Sequence, residues 1–303
     1  MKFLLRLIAR LCFRFRAYDT EALTTPGPVL LVPNHVSWLD WLFVGLVLDD
    51  DWKFVTSSTT ANSNWILRKM MVNGRTFPVD NSSPYAVRDM AEYLAKGGRL
   101  VLFAEGRITR TGSLMKVFDG TGFLIRNTNA KVITCYLRGA SRVHFVRHSG
   151  WRRWFPTVTA HFSPAQTAPV FENVSNTVAR QKVTGWLRDQ MSLQQFEVEM
   201  EHGPKNLLAA VTETAANIPG RIALEDVSSK ELSYRRLMVG ADVLAGEWRR
   251  RLGPAKGERV GILLPNVNSL PLSLLSLWAT QKVPAMLNFS TGIPGRRLCA
   301  QLA

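Results

Sequence analysis

VLLVPNHVSWLD (29–40) decides how this chain is read, because a wholly apolar run ends abruptly in a polar turn carrying a histidine and an aspartate. Val29 to Pro33 is short and follows the turn signal Pro26-Gly27-Pro28, so it reads as a buried strand. WLDWLFVGLVL (38–48) then reads as a buried helix, ended by Asp49 to Asp51. The same alternation repeats outward. DWKFVTSS (51–58) and GRTFPVD (74–80) read as strands, with a helix over NWILRKMMV (64–72) between them. SPYAVRDMAEYLAKGG (83–98) reads as a helix, with Ser83 as its cap, Pro84 at its first position and glycines at its end. RLVLFAEG (99–106) is a further buried strand, followed by a loop rich in Gly, Thr and Ser. GTGFLIRNTN (120–129) reads as a helix, KVITCYLRGA (131–140) as a strand, and a helix near 175–198 closes the unit. Strands alternating with helices predict an α/β fold with a largely parallel sheet. Such sheets place their sites just past the carboxyl ends of strands, where the motifs after Pro33 and Phe103 fall.

The first motif is Asn34-His35-Val36-Ser37-Trp38-Leu39-Asp40. With the helix starting near Ser37, the Asp40 carboxylate lies in its first turn and can reach back to the His35 imidazole. Such a carboxylate fixes the imidazole tautomer and stabilises the imidazolium formed when the histidine takes a proton. The pair then supplies a general base with no serine or cysteine nucleophile, a chemistry suited to activating a substrate hydroxyl for acyl transfer. A hydrogen-bonded core histidine is the alternative reading. The second motif is Phe103-Ala104-Glu105-Gly106-Arg107, with Thr109 and Arg110 beyond it. A glycine lets backbone amides approach an anion, and arginine offers planar, bidentate contacts to phosphate. Taken alone, this stretch also reads as a charged surface loop.

Composition bounds the possible partners. The 303 residues are 46% hydrophobic and 20% charged, without low complexity or repeats, and carry a formal net charge of +15. Nucleic acid, an anionic membrane and acidic proteins are all compatible with that charge. The excess is concentrated: residues 96–153 hold twelve Lys or Arg against two acids, Glu105 and Asp119. Residues 141–165 interleave the cations with Trp151, Trp154 and Phe155, as suits nucleic acid or a membrane interface. Cys12, Cys135 and Cys299 have no metal spacing and an odd count, which argues against a disulfide framework and for a reducing compartment. In MKFLLRLIARLCFRFRAY, Lys2, Arg6, Arg10 and Arg14 recur every four residues, with Phe3, Leu4, Leu7, Ile8, Leu11 and Phe15 mostly opposite. This predicts an amphipathic basic helix lying in a membrane interface. The longest apolar segment, Leu270 to Trp278, carries Pro271 and falls well short of the ~20 residues that span a bilayer, so a peripheral protein is expected.

Together these motifs resemble the glycerolipid acyltransferases. NHVSWLD matches that family's NHxxxxD block, which implies His35 as base and Asp40 as its partner. GRTFPVD looks like the second block, FAEGRIT (103–109) like the third, and VITCYLRGA (132–140) like the fourth, with Thr134 where proline is usual. The resemblance covers roughly residues 1–200. It implies acceptor contacts from Arg75, Glu105, Gly106 and Arg107, and assistance from Asn34 and Ser37, with no metal or cofactor. Backbone amides near His35 or Gly106 are candidates for holding the oxyanion. Arg107 occupies the usual threonine position of the third block and Ile108 the usual arginine position.

That EGRIT form looks like the branch in which the acyltransferase is joined to an adenylate-forming synthetase, the bifunctional 2-acylglycerophosphoethanolamine acyltransferase/acyl-acyl carrier protein synthetases. After an expected linker at 201–205, residues 206–303 resemble the beginning of that synthetase. ELSYRRL (231–237), ERVGILLPN (258–266) and VPAMLNFSTG (283–292) match its early blocks. Its Ser/Thr/Gly-rich phosphate loop ending in Lys-Gly is absent from this sequence, so ATP-driven fatty-acid activation is not expected. The resemblance implies a lysophospholipid acceptor, most directly the sn-1 hydroxyl of 2-acylglycerophosphoethanolamine, and acyl carrier protein as donor carrier. It also implies a peripheral place on the cytoplasmic face of a bacterial inner membrane, with no nucleic-acid partner. The rival within the family is a 1-acylglycerol-3-phosphate O-acyltransferase. The rival of another class is a non-catalytic, basic membrane-binding remnant.

Overall fold

The computed structural model describes residues 2–57, 76–79, 85–144, 146–147, 152–226 and 231–287. The chain divides into two compact units, Met1–Gly203 and Pro204–Ala303. The expected helix at 64–72 and Arg75 lie outside the described residues, as do Ser83, Pro84, Trp151, Cys299 and the stretch 288–303.

The first unit is built on a seven-stranded sheet. Its described elements are α1 (Lys2–Phe13), β1 (Arg16–Tyr18), β2 (Val29–Pro33), α2 (Asp40–Val47), β3 (Trp52–Ser57), β4 (Thr76–Val79), α3 (Ala86–Ala95), β5 (Arg99–Val101), α4 (Asp119–Thr128), β6 (Lys131–Arg138), β7 (Thr159–Phe162) and α5 (Asn176–His202). The strand order is β1-β7-β6-β2-β5-β3-β4. All neighbours pair in parallel except β6 and β7. The expected α/β class with a largely parallel sheet is what forms.

β2 lies between β5 and β6, and all five of its residues are buried, which is why it reads as an unbroken apolar run. Its alternating side chains feed two cores. Val29 and Leu31 join Phe43, Trp52 and Ile133 on the face covered by α1 and α2. Leu30 and Val32 join Met90, Leu94, Leu124 and Leu187 on the face covered by α3, α4 and α5. At about 25 cal/mol per Å2, burying side chains of this size stabilises by roughly 1.5–3 kcal/mol each, and it sets which face each strand presents. α4 and α5 approach closely: a Cβ at Gly122 would stand 2.3 Å from Thr184 Oγ1 and 2.4 Å from the Arg180 carbonyl oxygen.

Several boundaries differ from the sequence reading. The helix expected from Trp38 begins at Asp40, because the Asp40 side chain draws the preceding amides into a turn. The strand expected over 99–106 ends at Val101, since Phe103–Gly106 closes a tight turn with the Gly106 amide on the Phe103 carbonyl, 2.9 Å. The closing helix runs on through His202, across part of the expected linker; Val198 is buried, and Glu199 accepts from Tyr136 and Arg138 on β6.

The second unit contains α6 (Leu207–Asn217), β8 (Ile222–Leu224), β9 (Leu232–Ser233), α7 (Tyr234–Leu252), β10 (Arg259–Ile262), α8 (Ser269–Ala279) and β11 (Val283–Met286). Asn206 and Ser233 cap α6 and α7. β8 and β9 pair antiparallel, β10 and β11 parallel. Leu237, Ala241 and Leu275 form one small core, and Ile262, Leu270 and Leu277 another. Lys282, nearly fully buried, is held by Glu258 at 2.5 Å and the Leu252 carbonyl at 3.3 Å. Val239, Val243 and Met286 remain largely exposed.

Candidate active site

The register of the sheet assembles the site. β2 and β5 pair Leu31 with Val101, so the chains leave their carboxyl ends at the same level. Four residues beyond each member of that pair stand His35 and Glu105. The sheet offset of 70 residues continues as a hydrogen bond, the His35 amide donating to Glu105 Oε1 at 2.8 Å. The Thr109 amide donates to the His35 carbonyl at 2.9 Å. The backbone of the histidine is thus clamped on both sides by the loop after β5.

Its side chain is held as firmly. His35 Nδ1 lies 2.9 Å from Asp40 Oδ2, and the Phe103 ring stacks on the imidazole with centroids 4.3 Å apart. Asp40 Oδ2 also accepts from the amides of Val36 at 2.7 Å and Ser37 at 2.8 Å, and Oδ1 accepts from the Ser37 hydroxyl at 2.6 Å. The Ser37 hydroxyl in turn accepts from the Leu39 amide at 3.1 Å. The carboxylate is fully buried, whereas the His35 side chain keeps 20% of its surface exposed. With Nδ1–H directed at Asp40, the neutral imidazole has its lone pair on Nε2, free to act on a substrate proton.

The other expected residues fall into distinct places. Asn34 ties the motif to β6: its amide donates to the Cys135 carbonyl at 3.1 Å and its Oδ1 accepts from the Leu137 amide at 2.7 Å. Ser37 orients Asp40. Glu105, expected among the acceptor contacts, is 2% exposed, and its second oxygen accepts from the Met115 amide at 2.8 Å. Burial pushes its carboxyl above the usual range, against the opposing pull of these two amides. Gly106 is exposed and adopts φ +65, the left-handed backbone that favours glycine. Arg107 and Arg110 are exposed at the rim, while Ile108 and Thr109 between them are buried. Arg75 lies outside the described residues.

The amides expected to hold an oxyanion are already engaged. Those of Asn34, His35, Val36, Ser37 and Gly106 donate to Cys135, Glu105, Asp40, Asp40 and Phe103 respectively. Cys135, close behind the motif, offers no nucleophile: burial pushes its thiol well up, with the Asp40 charge adding to the effect. A cleft of about 300 Å3, open solvent included, lies between the two loops and β6, with Asn34, Val36, Glu105, Leu114 and Tyr136 in its wall. Thr134, where the resemblance leads one to expect proline, donates its amide to Ser163 Oγ at 2.9 Å, a bond proline could not make. The bracing roles of Asn34 and Glu105 were missed from the sequence; Asn34 is the first residue past a buried strand, a local signal, whereas Glu105 stands four residues past β5 and has none.

The chain is similar to the crystal structure of the 1-acyl-sn-glycerophosphate (LPA) acyltransferase PlsC from Thermotoga maritima, with a TM-score of 0.44 and 18% sequence identity, covering 63% of this chain and 80% of that one. Residues 14–138, from β1 through β6 and including both loops of the site, match the family model described as Acyltransferase.

Proposed function

We propose that the first unit transfers an acyl group from a thioester carried by acyl carrier protein to the free hydroxyl of a lysophospholipid, most directly sn-1 of 2-acylglycerophosphoethanolamine. The observation that carries this reading is a histidine fixed through Nδ1 by a buried carboxylate, with Nε2 left for a substrate, inside the segment that matches the Acyltransferase family. Nε2 takes the proton of the acceptor hydroxyl as its oxygen attacks the thioester carbonyl. The tetrahedral oxyanion then collapses, and the departing thiolate recovers that proton from the imidazolium. Asp40 stabilises the imidazolium. Arg107 binds the acceptor phosphate from the rim, and Glu105 acts as a brace for His35 rather than as a contact. The cationic surface favours both an acidic donor carrier and an anionic membrane. No helix among the described residues is long and apolar enough to cross a membrane, which suits peripheral attachment at a cytoplasmic membrane face. For residues 206–303 we retain the proposal of an adenylate-forming synthetase segment.

The test is transfer of labelled acyl groups from acyl carrier protein to 2-acylglycerophosphoethanolamine in detergent, wild type beside His35→Ala. The wild type is expected to make product and the folded variant to lose about a thousandfold. No product from the folded wild type would overturn the reading. Competition with lysophosphatidate decides the acceptor, and its preferred use would assign the 1-acylglycerol-3-phosphate activity instead.

A further inference from the structure

β2 lies between β5 and β6, so the loop carrying His35 is flanked on one side by the chain leaving β5 and on the other by the chain leaving β6. The first side supplies Arg107, exposed at the rim. The second side supplies a cation that none of the sequence motifs includes. Beyond β6, and beyond the segment 14–138 that matches the family, Arg147 is exposed. Val143 and Val146 are buried in the same core as Phe43 of α2, which fixes the backbone beside it. The Arg147 guanidinium lies over the ring of Trp38, 5.1 Å from its centroid.

Trp38 is 44% exposed although it stands in the loop of His35, between Ser37, which is fully buried, and Leu39, which packs on the core. Its indole carries the guanidinium. A cation over an aromatic face is attracted to the ring, and a stacked guanidinium keeps the N–H groups at its edge available for hydrogen bonds. No carboxylate competes for them: the chain has no acid between Asp119 and Glu172, and among the described residues Arg147 makes no ion pair. An exposed guanidinium held on an aromatic ring beside the reacting histidine, without an anion of its own, is a receptor for phosphate.

We propose that Arg147, positioned by Trp38, binds the phosphodiester of the phosphopantetheine arm that carries the acyl thioester, which rests on and deepens the acyltransferase reading by giving the donor a place. Acyl transfer brings two substrates to His35, and both carry phosphate. Their reach differs. In a lysophospholipid only the glycerol carbons separate the phosphate from the reacting hydroxyl, so its cation belongs to the loop after β5, which clamps His35 and bears Arg107. In the donor the whole pantetheine chain separates the phosphate from the thioester, so its cation stands away from the base. Arg147 meets that requirement: it touches Trp38, and among the described residues it bonds to neither His35, Asp40 nor Glu105. Arriving from the β6 side, it leaves the β5 side to the acceptor.

Kinetics of the full chain with paired donors test this. Acyl-phosphopantetheine is compared with acyl-pantetheine, which lacks the phosphate, and acyl carrier protein with acyl-coenzyme A, which share the arm. Arg147→Gln is expected to raise KM about tenfold for every donor that carries the phosphate, to leave acyl-pantetheine unaffected, and to hold kcat and the acceptor KM within about twofold. Trp38→Leu should do the same, Trp38→Phe should keep most of the affinity, and the double variant Trp38→Leu/Arg147→Gln should lose no more than either alone. Lys131→Gln, at the amino end of β6, is the control for removal of one positive charge. Equilibrium binding of phosphopantetheine and pantetheine is measured in parallel, and the wild type's preference for the phosphate, about tenfold, should vanish in Arg147→Gln. Circular dichroism confirms that each variant is folded. An equal rise with acyl-pantetheine, a rise confined to acyl carrier protein, a rise in the acceptor KM instead, an equal loss in Lys131→Gln, or no preference of the wild type for the phosphate would each overturn the proposal. Preferential binding of the phosphate without acyl transfer to any acceptor would sink the acyltransferase reading alone, so the two failures are told apart.

Discussion

The loop Asn34–Asp40 and the helix α1 depart from ordinary burial in opposite directions. The loop buries polar groups: Ser37 and Asp40 are fully inaccessible and Asn34 nearly so, and each is matched by specific partners. The helix exposes leucines and phenylalanines while its first two cations bond inward. Folding alone favours neither arrangement, since a buried polar group must be paired and an exposed apolar ridge forgoes burial. The difference is one of purpose. The loop is built to hold one atom, His35 Nε2, in place, and the helix is built to present a surface.

That contrast can be broken at several points. The largest effect is expected at Asp40. Asp40→Asn keeps the shape but removes the charge that His35 and two amides face at Oδ2, and its NH2, placed where Oδ1 was, forces the Ser37 hydroxyl to turn from donor to acceptor. A loss of about 3 kcal/mol of stability in chemical denaturation is expected, with kcat falling about ten-thousandfold. A variant as stable and active as the wild type would show that the loop's polar burial is incidental.

His161 extends the rule of matched polar burial to β7, away from the loop. It stacks on Tyr18 at 4.7 Å and bonds Thr159 at 2.8 Å. Burial, then the neighbouring His202, then Arg138 hold it down to about 4, against 6.5 in an open chain. The unfolded chain therefore takes up a proton that the native state refuses. This contribution is intact above about pH 6.5 and is lost as the pH falls towards 4, by about 3 kcal/mol. His161→Phe should flatten that part of the stability–pH curve, and an unchanged slope would assign it to other groups.

A smaller effect is expected at Glu105. Glu105→Gln keeps one acceptor for two amides, which should cost about 1–3 kcal/mol and lower kcat more than it raises KM, because His35 loses its anchor rather than the acceptor its contact. A rise in KM alone would restore the acceptor-binding role that the sequence suggested. The smallest is at α1, where Leu11→Ser should change the stability of the free protein by no more than about 0.5 kcal/mol. A larger loss would mean that the ridge packs against this chain and is not open to a partner.

The sequence carried the parts of this protein that depend on neighbours along the chain. The bounds of β2 follow from its run of buried residues, and the His35–Asp40 pair from a five-residue spacing that any tight turn before a helix brings together. The basic, amphipathic character of α1 was equally legible, because helical periodicity is local. What only the tertiary structure decided are the choices made by distant neighbours. Glu105 became a brace because the register of β2 on β5 sets it beside a residue 70 positions away, and no local pattern encodes that register. The outward turn of the apolar face of α1 was decided by the carbonyls at the end of α2, 40 and 46 positions on, which took up Arg6 and Lys2. Periodicity tells which residues share a face; only the packed neighbours, through the bonds they offer, determine where that face points.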